Sequence, residues 1–537
     1  MRSSKRILSL LFIMSMLFVV ACGQVSSDES TGSVEVEERV AEETVKEAVS
    51  IDEDEEIVIA GTRNIAPGEK DAYYCSSILM VWEPLLTKES NGAPKAKLAK
   101  SYEANDDFKE WTFHLLEGVK FHDGEDFNAD AVIANFDRMK LGKKSSSYYS
   151  MDITKTYPGL KDVVKVDDYT VKLVFENSLP TLDFAMTDFA SAMFSPKGFD
   201  EEGNFNGMAQ GTGPFKMLEN KLDEYAIVER NEDYYGEKAM AKSIKVRVIP
   251  DPDTRFSALK AGEIMGVIDL GAIQPVMAME LIKDNQYDIS YHPNTITHYM
   301  IVNGNKAPFN DVRMRRAVSL LIDRQQIIDS FYAGIGTPTT NLLNPLTPFY
   351  KEYTVEHDVD KAKALAKEVL GQERMPISII LRSGELARYP NKEEAVLLQA
   401  QLSEIGLDAT ITILDSGAWN EAVSTENYDL SLKIKGLSSS EPRSLFASMM
   451  MTSSGLNKKW SFGYSNEEVD SLINAVANEL DMERRKEMYN RLQDISVEEL
   501  PAIPYFEDVN LVAFNKKITG YDASYYGVTL DKTRWAK

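Results

Sequence analysis

The stretch of residues 111–138, WTFHLLEGVKFHDGEDFNADAVIANFDR, constrains the fold more than any other part of the chain. Its first residues alternate as in a strand, with Trp111 and Phe113 on the same side. The HDG triplet that ends at Gly124 predicts a turn, because glycine tolerates positive φ and aspartate bonds its own backbone. Asn128 is the predicted cap of a helix whose apolar residues recur at helical spacing. These patterns predict a strand, a tight turn and a capped helix, and none of them is chemically reactive.

The length and charge of the chain limit the classes of protein to consider. A chain of 537 residues can hold about two to four domains. Its hydrophobic content of 43% and aromatic content of 9% are typical of a folded globular protein. The net charge of −25 argues against nucleic acid as a partner, because a phosphate backbone requires a basic face.

The N-terminus has the pattern of a secretory signal peptide over residues 1–21. Basic residues precede an apolar run of about 15 residues, which is too short to cross a bilayer. The run ends in VVACG, which resembles a bacterial lipobox, whose cysteine is lipidated and becomes the new N-terminus. We therefore predict that Cys22 is lipidated and that the protein is secreted. An uncleaved signal anchor with a chance cysteine is the alternative.

Residues 22–56 form a predicted acidic tether between the anchor and the folded part. From residue 26 onward the tether carries 13 acidic residues, few basic ones and no aromatics. Such a segment stays solvated and extended, although a specific binding role is the alternative. Cys75 lies further on, in a helical pattern. Since Cys22 is assigned to the lipid, Cys75 is predicted to be a small buried apolar residue and not a reactive thiol.

The first half of the folded part alternates strands with helices, which favours an α/β sheet. Ile57–Ala60 predicts a buried strand, and Tyr169–Phe175 predicts a half-buried one with strict alternation. Ile244–Ile249 predicts a further strand, followed by a helix that Asp253 caps and Gly262 ends.

The second half shows the same alternation. Around Ile296–Asn303 the pattern is extended, and Asp311 then caps a long predicted helix that continues to Ile328. A second series of helices and strands follows, and the last strand returns the chain to the first half. The predicted elements of this series are the helix Val359–Leu370, the strand Ile377–Leu381, the helix Lys392–Ile405 and the strands Asp408–Ile413 and Val509–Phe514.

Several short motifs occur in an order that resembles one known family. They are WEPLL (82–86), LAKSYE (98–103), the stretch 111–124, GTGPFKM (211–217), VERNEDYYG (228–236) and SALKAGEI (257–264). Together they resemble the extracytoplasmic solute-binding proteins of the peptide/nickel class, family 5, of ABC importers. The glycines of GTGPFKM predict a turn and not a phosphate loop, since no GK[ST] follows them.

The resemblance implies an α/β, two-lobe fold like that of periplasmic binding proteins, with a hinge and a ligand cleft between the lobes. It implies lobe I over residues 57–298, with an inserted subdomain at about 98–205. Lobe II would follow over 299–505, and residues 506–537 would return to lobe I.

The resemblance also implies a function. The protein would capture small peptides or peptide-like solutes outside the cell, close over them, and deliver them to the permease and ATPase subunits of an importer. It would be a monomer without a cofactor, held at the cell membrane by its lipid anchor. A metal chelate as ligand is the first alternative, and a peptide-sensing surface receptor or adhesin is an alternative of another class.

The segment Lys433–Met449 departs from the resemblance. Ser438 stands about where peptide-binding relatives have an aspartate that fixes the α-amino group of the peptide. A serine cannot offset the desolvation of an ammonium group as a carboxylate does. The nickel alternative is weakened as well, because no histidine follows His357 and the segment Phe189–Pro196 contains no arginine.

Ligand contacts are expected on loops between strand ends and helix starts. Arginines can grip a carboxylate with two hydrogen bonds, and aromatic side chains supply apolar walls. A packed aromatic or a solvated charge is the alternative for each. The candidates are Arg63, Asn64, Tyr148 and Tyr149 from lobe I, and Trp419, Ser438, Arg443, Arg388 and Arg382 from lobe II.

Catalysis and a metal centre receive little support from the sequence. The five histidines show neither HxH nor HExxH spacing, so we predict no metal site. His298, near the expected hinge, is the histidine of most interest. No GxSxG elbow or comparable nucleophile motif occurs, so we predict that the protein is not an enzyme.

Overall fold

The computed structural model of the protein describes residues 55–63, 78–141, 153–187, 191–205, 208–386, 388–436, 442–525 and 527–537. Within these ranges every helix falls short of the length and apolarity that a bilayer crossing requires. Several predictions lie outside the described residues. They are the signal peptide, nearly all of the tether, and Cys22, Asn64, Cys75, Tyr148, Tyr149 and Ser438.

The described residues form strands and helices with the following bounds. The strands are β1 (Ile57–Gly61), β2 (Leu86–Lys88), β3 (Pro94–Ala96), β4 (Ala99–Ala104), β5 (Glu110–Leu115), β6 (Leu160–Asp167), β7 (Thr170–Phe175), β8 (Phe215–Lys221), β9 (Tyr225–Arg230), β10 (Ser243–Val248), β11 (Gly266–Val267), β12 (Tyr287–Val302), β13 (Thr337–Pro338), β14 (Met375–Arg382), β15 (Leu407–Leu414), β16 (Leu430–Gly436), β17 (Ala502–Asn515), β18 (Ile518–Thr519) and β19 (Arg534–Trp535). The α-helices are Ala129–Lys140, Ile153–Thr156, Leu182–Ala185, Pro252–Ala261, Pro275–Leu281, Val312–Leu321, Arg324–Phe331, Val359–Leu370, Ser383–Leu386, Asn391–Glu404, Ser416–Ser424, Pro442–Met450, Gly455–Lys459, Glu467–Val476 and Met482–Glu499, and the 3-10 helices are Pro196–Gly198 and Leu530–Lys532.

One 11-stranded mixed sheet runs through the molecule in the order β15-β14-β16-β12-β17-β11-β1-β10-β9-β8, and β13 pairs with β17 off this path. On one side of the sheet's centre, β1 is parallel to β10 and β11. On the other side, β14 is parallel to β15 and β16. The antiparallel pair β12 and β17 therefore joins two parallel sets of strands.

Each set of strands carries its own hydrophobic core. Buried side chains from residues 57–287 and 511–530 form two clusters, and those from residues 299–506 form two others. No buried member of a cluster crosses from one set to the other. We call these halves lobe I and lobe II, and they confirm the predicted two-lobe α/β fold.

The strands β12 and β17 are the longest connection between the lobes. They pair from Tyr287–Asn515 in lobe I to Ile301–Ala502 in lobe II, and the register shifts between Pro293 and Thr297. The sequence predicts shorter strands here, because polar residues interrupt the apolar pattern in both segments. These interruptions lie where the two strands pass between the lobes.

The stretch 111–138 folds as predicted. In β5, Trp111, Phe113 and Leu115 are buried while the residues between them are not. The Asn128 side-chain oxygen accepts a hydrogen bond from the Ala131 backbone N–H at 3.0 Å, which caps the helix. This part of lobe I belongs to a separate four-stranded sheet, β4-β5-β7-β6.

Two predicted helix features are wrong in detail. The cap of helix Pro252–Ala261 is Asp251, not Asp253, because Pro252 occupies the first helical position. The long helix after Asp311 is two helices, because Ile322 leaves the helical conformation with ψ of 112° and Asp323 caps the second one.

The glycines of GTGPFKM are explained by close approach of two backbones. A Cβ atom at Gly211 would lie 2.1 Å from the Val81 carbonyl oxygen, and one at Gly213 would lie 2.2 Å from that of Met80. No side chain fits there, so these residues position the segment that precedes β8.

Candidate ligand site between the lobes

The lobes meet at several places among the described residues: Ile335 of lobe II packs against the lobe I core, and two further contacts bring loops together. The Arg388 Nη2 of lobe II donates a hydrogen bond to the Leu270 carbonyl of lobe I at 2.5 Å. The turn that contains Gly92 packs against lobe II, since a Cβ atom at Gly92 would lie 2.7 Å from the Leu346 carbonyl oxygen. Both of these contacts are formed by loops.

In lobe I, the carboxyl ends of the parallel strands β1 and β11 meet at one edge of the sheet. Arg63 follows β1, and its Nε lies 3.3 Å from Asp269 Oδ2 beyond β11. The Thr62 hydroxyl donates to the same oxygen at 2.5 Å. Asp269 is fully buried and has φ of 94°, a conformation that a non-glycine residue adopts only under constraint. This edge is the place where a ligand is expected in such a sheet.

Two of the predicted ligand contacts come together at this edge. Arg63 contacts Asp269, and Arg388 contacts the next residue, Leu270. The two arginines therefore flank the same loop from opposite lobes. Their contact with a ligand stays a prediction, but Arg388 has a structural role as a link between the lobes.

The other described candidates make contacts inside lobe II. Trp419 is buried in the core, and its indole N–H donates to the Ser431 hydroxyl at 3.0 Å. Arg443 Nε donates to the Ile473 carbonyl at 2.9 Å, near the end of helix Glu467–Val476. Arg382 Nε donates to the Ser416 hydroxyl at 3.0 Å. A ligand-binding role for each of these residues stays a prediction.

Four polar residues line one face of the sheet where the crossing strands enter lobe II. Thr297 on β12 pairs with Glu507 on β17, and cross-strand partners share a face. Tyr299 lies two residues further along β12 on the same face and pairs with Lys433 on β16. The Lys433 ammonium contacts the carboxylate of Glu385. We call Thr297, Tyr299, Glu385 and Glu507 the polar row.

Each member of the polar row has a buried polar atom without a hydrogen-bond partner among the described residues. These atoms are Thr297 Oγ1, Tyr299 Oη, Glu385 Oε2 and Glu507 Oε1. Thr297 and Tyr299 are fully buried, and Glu507 is 7% exposed. Folded proteins satisfy nearly all such groups, so a concentration of unpaired ones needs an explanation. A polar partner from outside the chain would satisfy them.

Burial also perturbs the ionisation of this face. It raises the pKa of Glu507 to about 8, although a hydrogen bond with the Thr339 side chain acts in the opposite direction. Burial and the carboxylate of Glu385 raise the pKa of Tyr299, so its hydroxyl stays protonated. The polar row thus holds a phenol, an alcohol and two acids in surroundings poor in water.

His298 faces the opposite side of β12. Its ring stacks on Phe506 with ring centres 4.0 Å apart, and its Nε2 lies 3.5 Å from Asp508 Oδ2, too far for a good hydrogen bond. On that side the buried Glu394 accepts hydrogen bonds from Tyr332 and Tyr505. The described residues contain no group of three or more histidine, cysteine, aspartate or glutamate side chains arranged to hold a metal ion.

The sequence predictions missed the polar row. One signal was present: Glu507 and Asp508 interrupt the otherwise apolar strand AIPYFEDVNLVAF. Two adjacent acids in a buried strand carry a large desolvation cost, which is unusual unless they have partners. Nothing local marks Tyr299 or Glu385, because their proximity arises only when β12, β16 and the end of β14 come together.

Two lobes with separate cores, joined by two crossing strands, are an architecture typical of solute-binding proteins. The match to known families agrees with this class. Residues 93–457 match the family described as "Bacterial extracellular solute-binding proteins, family 5 Middle". The chain belongs to this family of extracellular solute-binding proteins, which serve ABC importers.

Known relatives resemble the chain over most of its length. Heme-binding protein A of Haemophilus influenzae is 26% identical over 477 residues, which cover 81% of this chain and 84% of the relative. The glutathione-binding protein GsiB of Salmonella typhi is 28% identical over 440 residues, covering 80% and 83%. Both are named as binding proteins, in agreement with the prediction that this chain is not an enzyme.

A solved structure shares the fold. The crystal structure of NikA from Brucella suis in complex with Fe(III)-EDTA superposes with a TM-score of 0.77 at 22% identity. The similarity covers 90% of this chain and all of NikA. At this level of identity the likeness describes the fold of the two chains and not their ligands.

Proposed function

We propose that this chain is the lipid-anchored binding subunit of an ABC importer for small peptides or peptide-like solutes. The polar row is the observation that carries the proposal. A peptide backbone alternates N–H donors with carbonyl acceptors, and the row offers acceptors at Glu385 and Glu507 and a donor at Tyr299. Thr297 and Tyr299 lie about 7 Å apart along β12, which matches two residues of an extended peptide.

The relatives support the same class of ligand. GsiB is named for glutathione, which is a tripeptide with a free ammonium group and two carboxylates. Heme, the ligand in the name of the other relative, has carboxylates but no peptide backbone. The hydroxyls and acids of the polar row suit the first chemistry better, because an acid can bind the ammonium group of glutathione and heme has no such group.

Closure of the lobes accounts for capture and release. A ligand that contacts both lobes stabilises the closed form by its differential affinity for that form. The link between Arg388 and Leu270 and the contact between Gly92 and Leu346 would form together with the ligand contacts. The permease would then recognise the closed form.

The membrane anchor is a separate part of the proposal and rests on the sequence around Cys22. A diacylglycerol group with a further acyl chain gives stable anchoring. Growth of the expressing bacterium with a labelled fatty acid is expected to label the wild-type protein and not the Cys22→Ala variant. Label in both proteins, or in neither, would contradict lipidation at this residue.

Thermal-shift measurements with a panel of di- to pentapeptides and glutathione test the ligand class. We expect at least one peptide to raise the melting temperature in a concentration-dependent manner, because a ligand that binds only the folded state stabilises it. Nickel with histidine and heme are the comparison arms. Stabilisation by one of these alone would replace the peptide proposal with a chelate or heme function.

Native mass spectrometry of the protein as purified identifies the ligand independently, since a closed cleft retains its ligand.

Deletion of the partner permease distinguishes the importer function from the remaining alternative, a surface receptor or adhesin. Loss of peptide uptake in that strain supports the importer function, whereas an intact peptide-dependent phenotype would favour a surface receptor or adhesin.

A further inference from the structure

The two ends of the polar row differ in charge balance. At one end, Lys433 contacts Glu385, and the Lys433 Nζ lies 4.8 Å from the centre of the Trp419 ring. The charge of Glu385 is therefore matched inside the chain, and only its Oε2 lacks a hydrogen bond. A single polar group of a ligand would complete this end.

At the other end, Glu507 has no cation near it among the described side chains. Its neighbours are Thr297, the hydrogen-bonding Thr339, and Tyr350, whose pKa is raised to about 12 by burial and then by Glu507. None of these groups carries a positive charge. An acid that is 7% exposed and has an unpaired oxygen is costly for the fold.

The surroundings of Glu507 belong to the junction of the lobes. The segment from Thr339 to Tyr350 lies beside Glu507, and Leu346 in that segment meets the Gly92 turn of lobe I. Thr340 and Thr347 of the same segment also have buried hydroxyls without hydrogen-bond partners. Unpaired polar atoms of Glu507, Thr340 and Thr347 therefore lie in or beside the segment that meets lobe I, while others lie elsewhere in the molecule.

We propose that the Glu507 end of the polar row is a cation subsite, which takes an ammonium group of the ligand such as the free α-amino group of a small peptide. This inference rests on the proposed function and specifies the ligand chemistry for it. An ammonium group offers several N–H donors, and the unpaired oxygens of Glu507 and Thr297 lie on adjacent strands as acceptors. Charge-assisted hydrogen bonds of this kind are the strong ones.

The burial of Glu507 also determines its protonation state. Burial keeps the proton on Glu507 up to a pH of about 8, so an arriving ammonium group displaces that proton. The affinity for a cationic ligand should therefore rise with pH up to about 8, by at most about tenfold per pH unit. Tyr350 and Thr339 stay neutral over this range and do not compete.

The alternative to a ligand cation is that Lys435 neutralises the charge of Glu507. Lys435 occupies the register position opposite Thr297 on β16, which places its backbone one strand further from Glu507. An internal ion pair between Lys435 and Glu507 would make an external cation unnecessary. The Lys435→Met variant separates the two explanations, because it removes the internal cation and leaves the acid.

The experiment compares each peptide of the panel that binds with its N-acetylated form, by titration calorimetry at pH 8. We expect wild type to bind the free peptide about 10- to 100-fold more tightly than the acetylated one. In Glu507→Gln this preference should shrink to about threefold or less, while affinity for the acetylated peptide stays unchanged. Thr297→Val, a nearly isosteric change, should reduce the preference by a smaller factor.

Glu394→Gln is the matched control, because Glu394 is buried in the same lobe but is satisfied by two tyrosine hydroxyls on the other face. It should retain the full preference for the free amine. Lys435→Met should bind the free peptide as tightly as wild type, because the proposal gives Lys435 no part in neutralising Glu507. A preference for the free amine that is absent in wild type and appears only in Lys435→Met would show an internal ion pair and overturn the subsite.

The failure of this inference can be told apart from the failure of the proposed function. Peptides that bind wild type with no preference for a free amino group, or a preference that survives in Glu507→Gln, overturn the cation subsite alone. A protein that binds no peptide of the panel overturns both.

Discussion

Two buried glutamates show how different regions of this molecule use the same side chain. Glu83 in lobe I is 5% exposed, and Glu507 on the crossing strand is 7% exposed, so their burial is alike. The carboxylate of Glu507 leaves one oxygen unpaired. Glu83, by contrast, is held at 2.8 to 3.0 Å by the side chains of Thr212, Tyr234, Tyr235 and Lys97.

The two acids therefore contribute differently to the stability of the folded protein. The Glu83 network joins residues far apart in sequence and is complete, and a complete buried network gives a rigid and unique local structure. Glu507 gains nothing comparable from its own chain, so it lowers stability in the free protein. Buried groups of this kind are typical of binding sites, where stability is lost in exchange for recognition.

The largest expected effect follows from breaking the complete network. Glu83→Gln should lower the free energy of unfolding by about 3–5 kcal/mol, because it leaves the Lys97 ammonium without its counter-charge. Burial opposes the charge on Lys97, but attraction to Glu83 raises its pKa overall. Urea denaturation monitored by circular dichroism measures the loss. Adding Lys97→Met to Glu83→Gln should recover part of it, and a further loss would contradict the ion pair as the cause.

The next largest expected effect is the pH dependence that Glu507 gives to the free energy of unfolding. Between pH 5.5 and 7 the unfolded acid has lost its proton, while the folded acid, with a pKa of about 8, retains it. Folding therefore takes up a proton, and stability falls as pH rises through this window and levels off above about pH 8. Relative to Glu507→Gln, wild type should lose about 2 kcal/mol between pH 5.5 and 7. Parallel stability curves for the two proteins would contradict a raised pKa.

A matched pair of threonine variants compares the two regions more finely. Thr212 and Thr297 are both buried, but only the Thr212 hydroxyl donates a hydrogen bond, to Glu83 at 2.8 Å. Thr212→Val should lower the free energy of unfolding by about 1–3 kcal/mol, since it leaves an acceptor of Glu83 unsatisfied. Thr297→Val should leave it unchanged or raise it slightly. Equal losses in both variants would mean that the Thr297 hydroxyl has a partner.

The smallest effect concerns the link between the lobes. Arg388→Met removes the hydrogen bond to Leu270 and should weaken ligand binding by about threefold, through a lower population of the closed form. Small-angle scattering with and without peptide should show less compaction in the variant. A much larger loss that disappears with C-terminally amidated peptides would instead indicate that Arg388 binds the ligand carboxylate.

Local interactions made much of lobe I predictable. The alternation in β5, the Asn128 cap and the left-handed Gly262 all depend on residues within about four positions of one another. The errors arose where two local signals competed. Asp251 and Asp253 are both good caps, and only the position of Pro252 decides between them.

The candidate site was less predictable. Arg63 and Arg388 were found from their places at strand ends, and the structure shows that they flank one loop. The polar row was missed because no sequence period relates position 297 to position 507, or position 299 to position 385. Its members meet only through strand register and the end of β14.

By itself, the sequence determined the family, the α/β class, the alternation of strands and helices, and caps such as Asn128 and Gly262, since these follow from short-range hydrogen bonds and periodic burial. Only the tertiary structure decided which buried acid is satisfied. Glu83 receives hydrogen bonds or an ion pair from residues 97, 212, 234 and 235. Among the described residues, Oε1 of Glu507 receives no hydrogen bond. The physical reason is that desolvation depends on the whole packed environment, and partners distant in sequence either reach the buried group or do not.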